Sequence, residues 1–99
     1  MTEAYIYMVE CADGTLYTGW TTDLARRVAV HNAGQGARYT RTRRPVRLVY
    51  WEEHSSRTHA RRRERALHHL SRAQKLRLIA RGSGDSGQAG VSLPEPSEA

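Results

Sequence analysis

An Asp13-Gly14 pair between two short apolar-alternating runs, with helix-forming sequence directly behind them, constrains this chain more than any other feature. Such a pair is a strong hairpin signal, because Gly supplies the positive φ that a tight turn needs. Residues 4–11 and 15–20 therefore read as antiparallel strands. Strand side chains alternate between faces, whereas helical side chains return to one face after four residues. Tyr5 and Tyr7 then share a face of the first strand, and Tyr17 and Gly19 share a face of the second. Arg27 and His31 stack at i and i+4 on the helix that follows. One compact unit can thus aim two phenols, a guanidinium and an imidazole at a single spot. That set suits phosphate chemistry, since Arg grips phosphate oxygens through a planar fork and phenol or imidazole can move protons.

The rest of the chain reads as one small α+β domain. Thr21 or Thr22 can cap the first helix near Asp23, Leu24 and Val28 give it an apolar stripe, and Gly34 stops it. Residues 35–45 read as a basic loop in which Tyr39 is interleaved with Arg38, Arg41, Arg43 and Arg44. Such a loop can track a phosphate backbone while the ring stacks on a base or sugar; otherwise Tyr39 folds onto the sheet. Val46 to Glu53 is the third strand, with Val46, Leu48 and Tyr50 on one face and Val49 and Trp51 on the other. Ile6, Met8, Leu16 and Trp20 are available for the core. Glu52 and Glu53 read as surface charges or, less simply, as metal ligands. Ser55 or Ser56 caps a helix running to Leu70, and Ser71 caps a last helix through Ile79, packed by Leu76 and Ile79 and stopped by Gly82. The expected architecture is a small three-stranded antiparallel sheet flanked by about three helices over residues 1–81. Residues 82–99, rich in Gly, Ser and Pro, form an acidic tail that buries too little apolar surface to stay ordered.

Charge narrows the choice of partners. The chain of 99 residues carries a net +6, which becomes +9 over residues 1–81 once Asp85, Glu95 and Glu98 of the tail are set aside. All its basic residues but Lys75 are Arg. A small domain with that excess is expected to bind polyanions, and Arg favours phosphates. Cys11 is the only cysteine, so an intrachain disulfide is excluded and a Cys/His structural zinc site is not expected. No apolar run approaches the roughly 18 residues of a membrane span, and the polar start is unlike a secretory signal, so the expected location is cytoplasmic.

The motif spacing resembles the GIY-YIG nuclease domain. That family's first tripeptide falls on Tyr5-Ile6-Tyr7, its second on Tyr17-Thr18-Gly19, its helical Arg on Arg27 and its His on His31. Tyr5 stands where the family has Gly and Thr18 where it usually has Ile. The pattern continues through Gly36-Ala37-Arg38-Tyr39-Thr40-Arg41 and Arg44-Pro45-Val46, as in the small single-domain bacterial members. The resemblance implies a metal-dependent endonuclease that hydrolyses phosphodiester bonds. Tyr7, Tyr17, Arg27 and His31 would be its catalytic groups, and Glu64 would hold Mg²⁺ or Mn²⁺. His68 replaces the Lys usual in those relatives.

From the residues alone, Glu64 shares a face with Ala60, Leu67 and His68, which turns it inward or pairs it with neighbouring arginines. His68 and His69 diverge on a helix and do not suit one ion. Tyr7 would be the general base or would orient water, with Tyr17 bonded to the phosphate or the same water, and His31 would shuttle a proton or fix the surroundings of Arg27. A free phenolate at neutral pH costs about 4 kcal/mol, so Arg27 and the metal must lie close to offset it. An Arg surface reads phosphate more than base edges. Recognition by structure (branched, nicked or single-stranded) with weak sequence specificity is therefore expected, in the service of repair or recombination, with DNA placed ahead of RNA and RNA left open because no residue identifies a contact to the 2′-hydroxyl. The alternatives are a non-catalytic nucleic-acid-binding module of the same fold and a basic module that docks on an acidic protein. Oligomeric state is left open.

Overall fold

The structure is a computed structural model that describes residues 2–82. The expected acidic tail, Gly82 apart, lies outside the described residues. Three strands, β1 (Ala4–Glu10), β2 (Leu16–Thr21) and β3 (Arg47–His54), form one antiparallel sheet in the order β2-β1-β3. Four helices accompany them: α1 (Leu24–Asn32), α2 (Arg38–Arg41), α3 (Arg57–His68) and α4 (Arg72–Arg81). The architecture is α+β as expected. The additional helix is α2, a single turn inside the segment read as a loop, where Thr40 is buried and anchors the turn.

The hairpin turns at Gly14, whose φ of +83° only Gly adopts without strain. Asp13 accepts hydrogen bonds from the backbone N–H and the hydroxyl of Thr15, at 3.1 and 2.6 Å, and so fixes the turn. β1 occupies the centre because it is apolar on both faces: Ala4, Ile6, Tyr7, Met8 and Val9 are all buried. Tyr7, Val9 and Trp51 pack with Leu24 and Val28 of α1. Ile6, Met8 and Tyr50 pack on the other face with Ala60 and Leu67 of α3, joined by Leu78 and Ile79 of α4.

The third strand departs from simple alternation. A register shift at Met8/Val9 pairs Met8 with Tyr50 and Val9 with Leu48, leaving Val49 as the extra residue of a bulge. Leu48 consequently joins Val46 and Trp51 on the α1 side, while Val49 and Tyr50 share the α3 side, which corrects the expected grouping of Tyr50 with Val46 and Leu48. In α4 the packing residues are Leu78 and Ile79, whereas Leu76 falls outside their stripe and is 43% exposed.

Caps explain where the helices begin. Asp23, rather than Thr21 or Thr22, caps α1 by accepting from the Arg26 N–H at 3.1 Å, and Thr21 instead accepts from the Asp23 N–H at 3.2 Å. Ser56 caps α3, and Ser71 with Gln74 forms a reciprocal capping box on α4. Gly34, at φ +82°, ends α1 as expected, and Gly82 ends α4. The Asn32 amide then accepts from the Val46 N–H at 2.7 Å and donates to the Val46 carbonyl at 3.0 Å. These two hydrogen bonds tie the end of α1 to the entry of β3.

Candidate active site

Tyr7 projects from β1 across the edge strand, where its cross-strand partner is Gly19. A Cβ at Gly19 would fall 2.5 Å from the Tyr7 hydroxyl, so the phenol can lie there only because the partner has no side chain. α1 brings Arg27 and His31 to the same hydroxyl. Arg27 Nε donates to Tyr7 Oη at 3.3 Å, and Tyr7 Oη lies 2.8 Å from His31 Nε2. The Tyr17 ring meets the His31 ring edge-on, with centroids 5.4 Å apart, and its hydroxyl has no hydrogen-bond partner among the described residues. The four groups expected to converge therefore do so.

Thr40, in the sequence only one polar residue of the run Gly36 to Arg41, joins this set. Its buried hydroxyl lies 2.7 Å from His31 Nδ1 and donates to the Ala37 carbonyl at 3.0 Å. Because its one proton goes to Ala37, Thr40 must accept from His31, so the imidazole carries its proton on Nδ1. Nε2 is then an acceptor and Tyr7 donates to it. A directed chain results, running from Arg27 to Tyr7 to His31 to Thr40 to the Ala37 carbonyl. Gly36 makes room for it, since a Cβ there would fall 2.2 Å from His31 Nδ1. The only sequence signal for Gly36 and Thr40 was their place in the run Gly36 to Arg41.

Electrostatics keep Tyr7 and His31 neutral at rest beside the charged Arg27. Burial pushes the Tyr7 pKa up to about 12, outweighing the opposing hydrogen bond and charge of Arg27. Burial, helped by the Arg27 charge, pulls His31 down to about 4. Burial also raises Tyr17, with Arg27 opposing and Glu64 reinforcing the rise. Glu64 is close enough for its charge to disfavour ionisation of both phenols. Proximity of Arg27 alone therefore does not yield a resting phenolate, and the sequence condition asked for a metal beside Arg27 as well.

Glu64 sits half-buried on α3, with His68 Nε2 at 3.8 Å from its carboxylate. Among the described residues no three His, Cys, Asp or Glu side chains gather into a metal cage. A single carboxylate, completed by water and phosphate oxygens, is nevertheless a donor set that suits Mg²⁺, which retains several waters. Glu52 is committed elsewhere. Although burial alone would raise its pKa, hydrogen bonds from Arg63, Tyr50 and His54 hold it below the usual range. Arg63 grips it bidentately at 2.9 to 3.2 Å, so Glu52 is an internal ion-pair partner that ties α3 to β3, and not a surface charge. Glu53 accepts from the Thr2 hydroxyl at 2.6 Å.

The basic segment is more internally engaged than its composition suggests. Tyr39 stacks on Tyr17, with centroids 5.9 Å apart and planes 24° apart, and the Arg43 guanidinium covers the Tyr39 ring at 4.0 Å. Arg43 also pairs with Asp13 at 3.1 Å, and Arg44 donates to the carbonyls of Arg41 and Asn32. Arg38 and Arg41 remain exposed on α2.

This fold, with paired phenols, an Arg and a His across one sheet edge and a carboxylate opposite, defines a class of small α+β domain. The GIY-YIG catalytic domain family matches residues 3–77, and the chain belongs to that family, whose fold is of the endonuclease type. A UPF0213 protein of Staphylococcus haemolyticus is 54% identical over 79 residues, covering 80% of this chain and 96% of that protein. One from Halobacterium salinarum is 58% identical over 75 residues, covering 76% and 97%. The solution NMR structure of a UPF0213 protein from Bacillus halodurans is similar at a TM-score of 0.51 and 47% identity, covering 78% of this chain and 82% of that one. No helix among the described residues is long and apolar enough to cross a membrane.

Proposed function

We propose that the chain is a metal-dependent endonuclease that hydrolyses DNA phosphodiester bonds, selecting substrate by structure with weak sequence specificity. The single observation that carries this reading is the convergence of Arg27, Tyr7 and His31 in one directed hydrogen-bond chain whose acidic neighbour is Glu64. A domain that only bound nucleic acid would need neither a buried proton relay nor an acid facing phosphate.

Each residue has a task in hydrolysis. Tyr7, which donates to His31 and accepts from Arg27, retains one lone pair that can accept a hydrogen bond from water and hold it in line with phosphorus. As that water attacks, its proton passes to Tyr7 while the Tyr7 proton moves to His31 Nε2. No free phenolate need accumulate. The negative charge of bound substrate raises the proton affinity of His31 above its resting value, which favours this transfer. The Nη groups of Arg27, left over by its bond to Tyr7, stabilise charge developing on the phosphoryl oxygens. The free Tyr17 hydroxyl donates to a non-bridging oxygen. Glu64 would hold Mg²⁺ or Mn²⁺, which supplies neutralisation of charge on the leaving oxygen. Such an activity would serve DNA repair or recombination in the cytoplasm.

The test is cleavage of labelled single-stranded, nicked, branched and duplex DNA, and of RNA, with Mg²⁺, Mn²⁺ or EDTA, beside Arg27→Ala. Metal-dependent cleavage lost in Arg27→Ala is the expected result. Binding to the panel with no cleavage under any of these conditions would leave a non-catalytic nucleic-acid-binding module instead.

A further inference from the structure

α3 carries more uncommitted positive charge than the segment around α2. Arg57, Arg61, Arg62 and Arg65 are exposed, and none has an acidic partner among the described residues. Arg43 and Arg44, by contrast, are spent on Asp13, Tyr39 and backbone carbonyls. The placement of Arg57 is specific. It lines, together with Arg27, Trp20, Thr21 and Thr22, a groove of about 270 Å³ at the end of β2. Arg27, which donates to Tyr7, is thus also a lining residue of this groove. No acid lines it.

A polynucleotide whose reacting phosphate lies at Tyr7 and Arg27 must continue beyond that point. The groove offers its neighbouring phosphate a second guanidinium, with the half-buried Trp20 ring as an apolar wall for a sugar or base. The path then continues along the helix. Arg61 and Arg65 follow Arg57 at i+4 and i+8, each step advancing about 6 Å along the axis, comparable with the phosphate repeat of an extended single strand. Arg61 and Arg65 line a second concavity of about 210 Å³ with Thr58 and Arg62, again with no acid.

We propose that the groove lined by Arg27 and Arg57 is the binding site for the phosphate adjacent to the reacting one, and that the same single strand runs on along Arg61 and Arg65 of α3. The proposal rests on the nuclease reading for its register, since that reading places the reacting phosphate at Arg27. It goes further in assigning the substrate path to α3 instead of to α2.

The experiment is fluorescence anisotropy of a labelled single-stranded oligonucleotide with the full chain in EDTA, so that turnover plays no part, over a range of salt. Wild type is compared with Arg57→Gln, Arg61→Gln/Arg65→Gln and Arg38→Gln/Arg41→Gln. Arg47→Gln, on the far strand, serves as a control. Each lost phosphate contact should lower the slope of log K against log salt by about 0.7. Arg57→Gln should therefore lose about 0.7 and Arg61→Gln/Arg65→Gln about 1.4, each contact also weakening binding several-fold. Arg47→Gln should match wild type.

Wild-type slopes in both α3 variants, with the loss confined to Arg38→Gln/Arg41→Gln, would overturn the proposal and place the strand on α2. Equal, Arg57-dependent binding of poly-glutamate would overturn it in favour of an acidic protein partner. Parallel cleavage assays with Mg²⁺ keep the two readings apart. Cleavage that is indifferent to Arg57 and Arg61 sinks only the strand path. Arg57-dependent oligonucleotide binding by a wild type that cleaves nothing supports the path and sinks the nuclease.

Discussion

Replacing Thr40 with Val keeps the shape of the side chain and deletes one hydroxyl, in a position with no access to water. His31 Nδ1 then loses its acceptor at 2.7 Å, whereas the Ala37 carbonyl loses the hydroxyl donor at 3.0 Å but keeps the N–H groups of Thr40 and Arg41. A buried imidazole N–H left unpaired costs about 1 to 3 kcal/mol. For a domain of this size, about 2 kcal/mol corresponds to a fall in Tm of roughly 10 °C. The imidazole can escape part of that cost by moving its proton to Nε2. Nε2 then no longer accepts from Tyr7, and the proton relay is broken. Loss of a positioned proton acceptor should slow cleavage on the order of 10²-fold with little change in DNA affinity. Imidazole ¹⁵N shifts read the tautomer directly: wild type and Thr40→Ser should carry the proton on Nδ1, and Thr40→Val should show the Nε2–H form. Thr40→Ser should also recover most of the activity. An unchanged tautomer and unchanged turnover in Thr40→Val would show that Thr40 does not fix the imidazole, as would a Thr40→Ser variant indistinguishable from Thr40→Val.

Three further outcomes follow from the same geometry. His31, held near 4 in the folded chain against about 6.5 unfolded, binds its proton more readily when unfolded; stability is therefore fully present above pH 6.5 and is lost as pH falls toward 4, by about 3 kcal/mol. Urea melts across that range should show this slope in wild type and a reduced one in His31→Gln; identical slopes would contradict the buried neutral imidazole. The Thr18 hydroxyl is buried without a hydrogen-bond partner among the described residues, so Thr18→Val should stabilise the chain by about 1 kcal/mol, read as a raised urea midpoint, and a lowered midpoint would count against it. Gly36→Ala should push the loop off the imidazole, shift the His31 ring resonances and reduce cleavage at least tenfold, while an unshifted His31 spectrum would show that the loop yields freely.

The local elements of the site were legible because they rest on short-range rules. The Asp13-Gly14 turn, strand alternation and the i, i+4 pair set Tyr7, Tyr17, Arg27 and His31 before any long-range contact is known. What stayed hidden depends on chain segments meeting. Thr40 looked like one polar residue in a basic loop, and only the return of α2 against α1 gives it the imidazole to fix. The bulge that moves Tyr50 away from Leu48 arises where β3 meets β1, so the β3 sequence alone keeps its alternation and conceals it. Glu52 resembled a surface acid until α3 laid Arg63 across it. Arg43 illustrates the converse, because its sequence context showed only a basic loop while Asp13, thirty positions away, pairs with it.

Single-turnover cleavage of labelled single-stranded DNA in saturating Mg²⁺, with binding measured in parallel, compares wild type with Tyr7→Phe and Glu64→Gln most directly. Tyr7→Phe keeps the packed ring and removes only the hydroxyl that joins Arg27 to His31; Glu64→Gln removes only the charge. Wild type should cleave only with metal, each variant should lose on the order of 10²-fold or more, and oligonucleotide affinity should stay within a few-fold of wild type. Cleavage by Tyr7→Phe and Glu64→Gln at the wild-type rate would contradict the roles assigned to Tyr7 and Glu64.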